Sequence, residues 1–259
     1  MSKHSEFRDR LRSQALLAGT FSKTPSAIVH EVLGRSVLDC VCIDAEHHPF
    51  DRGDLDACIA ALRAADMPAL VRVPIANPQN VLQALDCGAT GIVAPHVTSA
   101  EVARALVQAA HYPPLGQRGY AGSTRAADYG TKSLVAHLRD SAATTTLVAQ
   151  IEDADALAQL DAIAAVEGID CLFVGRMDLT ISLGCTNATD SKVVDAVQAI
   201  CAAGRRANKA VGMFVPPGES LDPWIAAGAS FYLLGSEQAF MLDGARALLA
   251  RLCASPGRS

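Results

Sequence analysis

The sequence predicts one closed (β/α)₈ barrel spanning residues 1–259: eight parallel strands, each followed by a helix. Three observations carry that expectation. Short apolar runs rich in Val, Ile and Leu alternate with longer amphipathic stretches along the whole chain. No linker, low-complexity segment or repeat divides it. Five consecutive strand candidates release polar or ionisable side chains at their C-terminal tips, the rim where barrel enzymes hold their chemistry. A doubly wound open sheet is the competing arrangement. It would carry a Gly-rich fingerprint after the first strand, and GTFSKTPS is a poor match.

The elements follow in order. An amphipathic helix is expected over Glu6–Leu17, with Leu11, Ala15 and Leu16 on one face and the arginines pointing out. Strands are expected at 18–20, 38–43, 69–73, 91–94, 145–151, 171–174, 210–214 and 231–234, where Val, Ile and other apolar residues cluster. Helices are expected between them at 26–33, 52–65, 78–84, 99–110, 155–165, 191–208, 220–227 and 237–252. Ser99 with Glu101, and Pro78, are start signals. Gly88, Gly168 and Gly228 are stop signals. Residues 111–132 read as one long irregular loop, a feature that is usually functional or interface-forming.

The polar rim is the informative part. The second strand runs into Asp44, Glu46, His47 and His48, closed by Pro49. The third carries Arg72 between apolar neighbours, and a buried guanidinium requires an anion. The fourth is followed by His96. The fifth delivers Gln150, Glu152 and Asp153, and the sixth Gly175, Arg176, Met177 and Asp178. Glu152 and Asp178 leave neighbouring strands, and two converging carboxylates repel unless one protonates or a cation joins them. With no Cys or His in step, the expected cation is hard: Mg²⁺, Mn²⁺ or Co²⁺. His47 is placed to act as a general base oriented by Asp44. Glu46 is read as a brace for its loop. Gly175 allows close approach of backbone to a ligand, so the amides of residues 175–178 could hold a carboxylate. Plainer roles remain open for each: a salt-bridged rim residue for Glu152, a helix cap for Asp178, an internal ion pair for Arg72, a solvated loop for His47.

Six ordered motifs, IDAEHHPF, LVRVP, ALDCGATGIVAPHV, YPPLGQRGY, QIED and FVGRMDL, resemble the metal-dependent class II pyruvate aldolases of the HpcH/HpaI family from about Leu16 to Ala239. The resemblance implies a barrel of the phosphoenolpyruvate/pyruvate superfamily, assembled as a hexamer built from dimers that exchange the last helix. It implies that Glu152 and Asp178 bind the divalent metal, which also takes the keto and carboxylate oxygens of pyruvate. It further implies that Arg72 steadies the enolate and that His47, paired with Asp44, moves the proton of the scissile alcohol. Asp86 would reach a neighbouring subunit's site, and Gln150 and the backbone around Gly175 would contact pyruvate. Two departures stand out. Arg176 replaces the commoner proline, and the last strand ends in Ser236 and Glu237. An arginine there could receive a second substrate carboxylate or bridge subunits.

The expected activity is cleavage or formation of a 4-hydroxy-2-oxo acid from pyruvate and an aldehyde. Citrate-synthase-like or citryl/malyl-thioester chemistry on oxaloacetate is the alternative, motivated by Arg176, although no basic patch for a CoA phosphate is evident. A third reading is a non-catalytic barrel, against which the full set of ionisable rim residues argues. Net charge is −5 with scattered Lys and Arg, which points away from nucleic acid. Neither a signal-peptide run nor a bilayer-length apolar stretch occurs, so a soluble cytoplasmic protein is expected. The eight cysteines contain no CxxC pair and read as reduced core residues.

Overall fold

The structure, a computed structural model, describes residues 3–254. Eight parallel strands close into a barrel, each hydrogen-bonded to its sequence neighbours and the last to the first. They are β1 (Leu17–Ser22), β2 (Cys40–Asp44), β3 (Ala69–Arg72), β4 (Gly91–Ala94), β5 (Thr146–Ile151), β6 (Cys171–Val174), β7 (Ala210–Val215) and β8 (Phe231–Ser236). All eight strand expectations hold, two of them to the residue. Near-continuous apolar strands suit a parallel sheet that is buried on both faces.

Side chains alternate between two cores. Leu17, Cys40, Cys42, Leu70, Val93, Val148, Cys171, Phe173 and Phe231 fill the barrel. Val41, Ile43, Val71, Ile92, Leu147 and Leu172 point outward and pack on the helical shell. Six of the eight cysteines are buried, and all are free thiols.

The first helix departs from expectation. It spans α1 (Lys3–Arg12), and Leu17 already belongs to β1. Leu16, assigned to its apolar face, is exposed. The face that is buried carries Phe7, Arg8 and Leu11, and it plugs the barrel where the strands begin. Phe7 meets Phe231 edge-on at 6.0 Å. Arg8 was expected in solvent. It is buried because Asp170 accepts from its Nε at 3.1 and 3.2 Å, which supplies the anion a buried guanidinium requires.

The shell follows the expected order through α2 (Ala27–Gly34), α3 (Arg52–Ala64), α4 (Pro78–Asp86) and α5 (Ala100–Ala110). Asp51, Asn77 and Ser99 cap the last three through their side chains. Two helices are missing from the expected set. The first is α6 (Leu134–Thr144), capped by Ser133. It buries only His137 and Ser141, so no apolar stripe announces it. The second, described below, starts at the sixth strand's tip. The helix expected over 155–165 is split into a 3₁₀ segment, Ala154–Gln159, and a short α7 (Leu160–Ala164), and the one expected over 191–208 forms as α9 (Ser191–Arg206). No helix among the described residues is long and apolar enough to cross a membrane.

Candidate active site

The site is built on strand register. Asp44 and Arg72 are direct partners across β2 and β3. Both side chains are buried, and they meet as a fork: Arg72 Nε donates to Asp44 Oδ1 at 3.0 Å and Nη2 to Oδ2 at 2.8 Å. Arg72 also lies over the Phe21 ring at 4.7 Å. Burial pulls the Asp44 pKa up, and the Arg72 hydrogen bonds and charge more than reverse this, so it ends below the ordinary value. The internal ion pair left open for Arg72 is therefore what the protein forms, with Glu46 Oε2 as a second anion 3.3 Å from Nε.

The turn after β2 corrects one pairing. His47 was expected to be oriented by Asp44 through its ring, but only its backbone N–H reaches Asp44, at 3.3 Å. The ring that meets Asp44 belongs to His48, with Nδ1 2.8 Å from Oδ2. The turn folds the chain back on its own first residue, which brings the fourth residue on, not the third, over the carboxylate. The His47 side chain is 56% exposed, with Nε2 3.8 Å from Glu46 Oε2.

Glu152 extends from the tip of β5 and is 2% exposed. Its Oε1 accepts the backbone N–H of His96 at 2.9 Å, and its Oε2 accepts from the Gln150 amide. His96 adopts a left-handed backbone, φ 54°, uncommon for a residue with a side chain and typical of functional sites. Its Nδ1 is 3.0 Å from Asp153 Oδ2, and that hydrogen bond is the main cause of a raised imidazole pKa. Ligand-capable atoms of Glu46, His96 and Glu152 all lie within 4.8 Å of one another. Burial raises the Glu46 pKa, Arg72 opposes, and the neighbouring Glu152 charge adds to the rise. The Gln150 Oε1 is buried with no hydrogen-bond partner among the described residues.

Residues 175–178 complete the rim. Gly175 caps α8 (Arg176–Ser182), so the cap role left open for Asp178 falls three residues earlier and Asp178 lies inside the first turn. A Cβ at Gly175 would sit 2.6 Å from Glu152 Oε2 and 3.1 Å from Gln150 Nε2, so only glycine lets the backbone lie there. Met177 and Asp178 are exposed in the first turn of α8. Asp178 shares the rim with Glu152, but no donor group that includes it closes to the same tightness among the described residues. Glu46 and His96 do so instead. Their signal was the position after a strand, which was visible in the sequence; their convergence was not.

Two further residues are engaged within the chain. Arg176, assigned to substrate, is buried with its guanidinium on the Glu219 carboxylate. Asp86 ends α4, on the side where the strands begin, and accepts from Arg118 at 2.8 Å. It is on the far side of the barrel from its own chain's rim.

A profile of the HpcH/HpaI aldolase/citrate lyase family matches residues 17–243. The chain belongs to that family. The 2-dehydro-3,6-dideoxy-6-sulfogluconate aldolase of Pseudomonas putida is 36% identical over 249 residues, covering 93% of this chain and 94% of that protein. A hydroxypyruvate/pyruvate aldolase of Paraburkholderia phytofirmans is 35% identical, covering 93% and 95%. A crystal structure of an HpcH/HpaI family protein from Burkholderia cenocepacia superposes with a TM-score of 0.90 at 31% identity, covering 96% of this chain and all of that one. The resemblance drawn from six motifs and the eight-stranded closure therefore agree.

Proposed function

We propose that this HpcH/HpaI protein is a divalent-metal-dependent aldolase that cleaves or forms 4-hydroxy-2-oxo acids through the enolate of pyruvate. The observation that carries it is the cluster of Glu46, His96 and Glu152 beside Arg72 on the strand-end rim. Two carboxylates and an imidazole with mutually close donor atoms, one carboxyl raised in pKa, form a donor set that a divalent cation satisfies, and the carboxylates are the donors that suit Mg²⁺ or Mn²⁺. Glu152 would hold it with Asp178, and Glu46 and His96 would flank it. Mg²⁺, Mn²⁺ or Co²⁺ would supply stabilisation of the negative charge that develops on the keto oxygen.

The chain's own groups do the rest. The Gly175, Arg176 and Met177 amides receive the oxo acid's carboxylate at the start of α8. Gln150, whose amide bonds Glu152, would contact the oxo acid through Oε1, a buried acceptor left unpaired among the described residues. In cleavage the C3–C4 bond breaks and its electrons pass into the enolate. His47, accessible on the rim, takes the proton of the C4 hydroxyl and the aldehyde leaves. Arg72, fixed by Asp44 through Nε and Nη2, retains Nη1 for the enolate. The proton that His47 has taken, returned to the enolate carbon directly or through water, then gives pyruvate and restores the base. The dicarboxylate alternative rested on a free Arg176, and Glu219 already occupies it.

The test is exchange of pyruvate methyl protons in D₂O, followed by NMR with Mg²⁺ or Mn²⁺. Metal-dependent exchange that stops on chelation is expected. A fully metallated protein that leaves pyruvate unexchanged discards the reading.

Assembly is the second part of the proposal. The last helix, α11 (Glu237–Cys253), buries only Glu237 and exposes Phe240, Met241, Leu242, Leu248, Leu249 and Leu252. Such an apolar face requires a cover. We assign it to a second copy through exchanged α11 helices, within the family's hexamer. Asp86, held by Arg118, would then serve a neighbouring copy's site. Replacing Leu248 and Leu249 by Glu is expected to reduce the sedimenting mass. A wild-type chain that sediments as a monomer rules the assembly out.

A further inference from the structure

Arg176 opens α8 directly after Gly175, and Glu219 lies in the loop that follows the neighbouring strand β7. Both Nη atoms of Arg176 bond the two oxygens of Glu219. The guanidinium carbon lies over the Trp224 ring at 5.3 Å, and Trp224 Nε1 donates to Glu219 Oε1 at 3.0 Å. Trp224 belongs to α10 (Asp222–Ala227), the helix after that loop. The hydrogen bond from Arg176 leads the causes that hold the Glu219 carboxyl below its ordinary pKa. Thr180 Oγ1 also donates to the Arg176 carbonyl at 2.7 Å, which fixes the first turn of α8.

We infer that Arg176, Glu219 and Trp224 form a latch that sets the position of the Gly175–Asp178 turn, so that Arg176 is a positioning residue and not a receptor for a substrate carboxylate. The inference rests on the proposed role of that turn in binding the oxo acid.

A forked arginine–carboxylate pair stacked on an indole has one geometry, and lysine cannot reproduce it. The loop 216–221 contains Pro216, Pro217 and Gly218, and within the loop its turn is closed by one backbone hydrogen bond, Glu219 N to Pro216 O at 3.3 Å. Arg176 therefore anchors the loop as much as the loop anchors Arg176. The turn has no slack on its other side, where the Gly175 backbone lies against Glu152 and Gln150. A shift of about 1 Å at α8 moves the amides off the carboxylate they receive, and displacements of that size cost up to about a hundredfold in rate.

Trp224 is the only tryptophan in the chain, so its emission reports the latch directly in ligand-free protein. Arg176→Lys and Glu219→Gln are expected to shift and broaden that emission while thermal unfolding stays cooperative. Each is expected to raise the pyruvate KM for proton exchange about tenfold with a smaller change in kcat, and the double variant no further, because the pair acts as a unit. Unchanged emission in both variants overturns the latch. Shifted emission with an unchanged KM overturns the positioning role. Faster turnover of a carboxylate-bearing aldehyde by Glu219→Gln, with Arg176→Lys impaired only for that aldehyde, makes Arg176 a substrate receptor and overturns it as well. A wild-type protein that exchanges no pyruvate protons defeats the functional reading and this one together; variants unchanged beside an active wild type defeat this one alone.

Discussion

Glu152→Gln is expected to reduce metal-dependent exchange of pyruvate protons by about a thousandfold or more, the scale for losing a charge that anchors transition-state stabilisation. The substitution preserves volume and removes the charge. It also reverses a hydrogen bond. Glu152 accepts from the His96 N–H and the Gln150 amide, so a glutamine places an NH₂ against one of two donors. Metal titration by calorimetry should show the corresponding loss of binding, while circular dichroism retains the barrel's unfolding profile. Two companion variants separate the possible donor sets. If the cation sits between Glu152 and Asp178, Asp178→Asn matches Glu152→Gln. If it sits among Glu46, His96 and Glu152, then Glu46→Gln and His96→Ala carry the loss and Asp178→Asn does not. A Glu152→Gln protein with wild-type exchange sinks the metal site altogether.

Arg72→Ala is expected to destabilise the fold and remove activity at once. Asp44 is 1% exposed and Glu46 lies beside it, so deleting the guanidinium strands a buried carboxylate. Breaking a buried pair from one side costs about 3–5 kcal/mol, which corresponds to a melting temperature lower by roughly 10 °C for a chain of this size. The stacking of Arg72 on Phe21 is lost as well. The pH dependence has a definite sign. In the wild type the folded Asp44 pKa lies below its ordinary value, so the pair's contribution is present above about pH 4 and is lost as pH falls through the lower folded value. In the variant burial acts without Arg72 and raises the Asp44 pKa. Its folded state then takes up a proton at a higher pH than the wild type does, and the deficit relative to wild type narrows as pH falls. Denaturant unfolding at neutral and acidic pH measures this. A deficit that is equal at both would mean that Asp44 is not the stranded charge, with lost packing around Phe21 as the cause. Arg72→Ala combined with Asp44→Ala should recover part of the stability and none of the activity.

Much of the architecture was legible because a parallel barrel writes itself in a simple code. Strands buried on both faces must be apolar along their length, and their C-terminal tips alone face the mouth. That is why β4 and β6 were bounded to the residue, and why Asp44, Arg72, Gln150, Glu152 and Gly175 were found at one rim. Where burial is slight the code weakens. α6 buries two polar residues and α8 is seven residues long, so neither displays a stripe. α1 was misplaced because a buried arginine on its inner face reads as a solvent residue until its partner Asp170, 162 positions away, is known.

The sequence by itself determined the closed barrel, the rim and the family, because these depend on residue type at positions local to each strand. Only the tertiary structure decided who pairs with whom there. It set His48 and not His47 on Asp44, drew Glu46 and His96 toward Glu152, and gave Arg176 to Glu219. Those choices turn on ångström distances between side chains from different strands, and charges that lie many residues apart select partners only once the barrel's closure has placed them side by side.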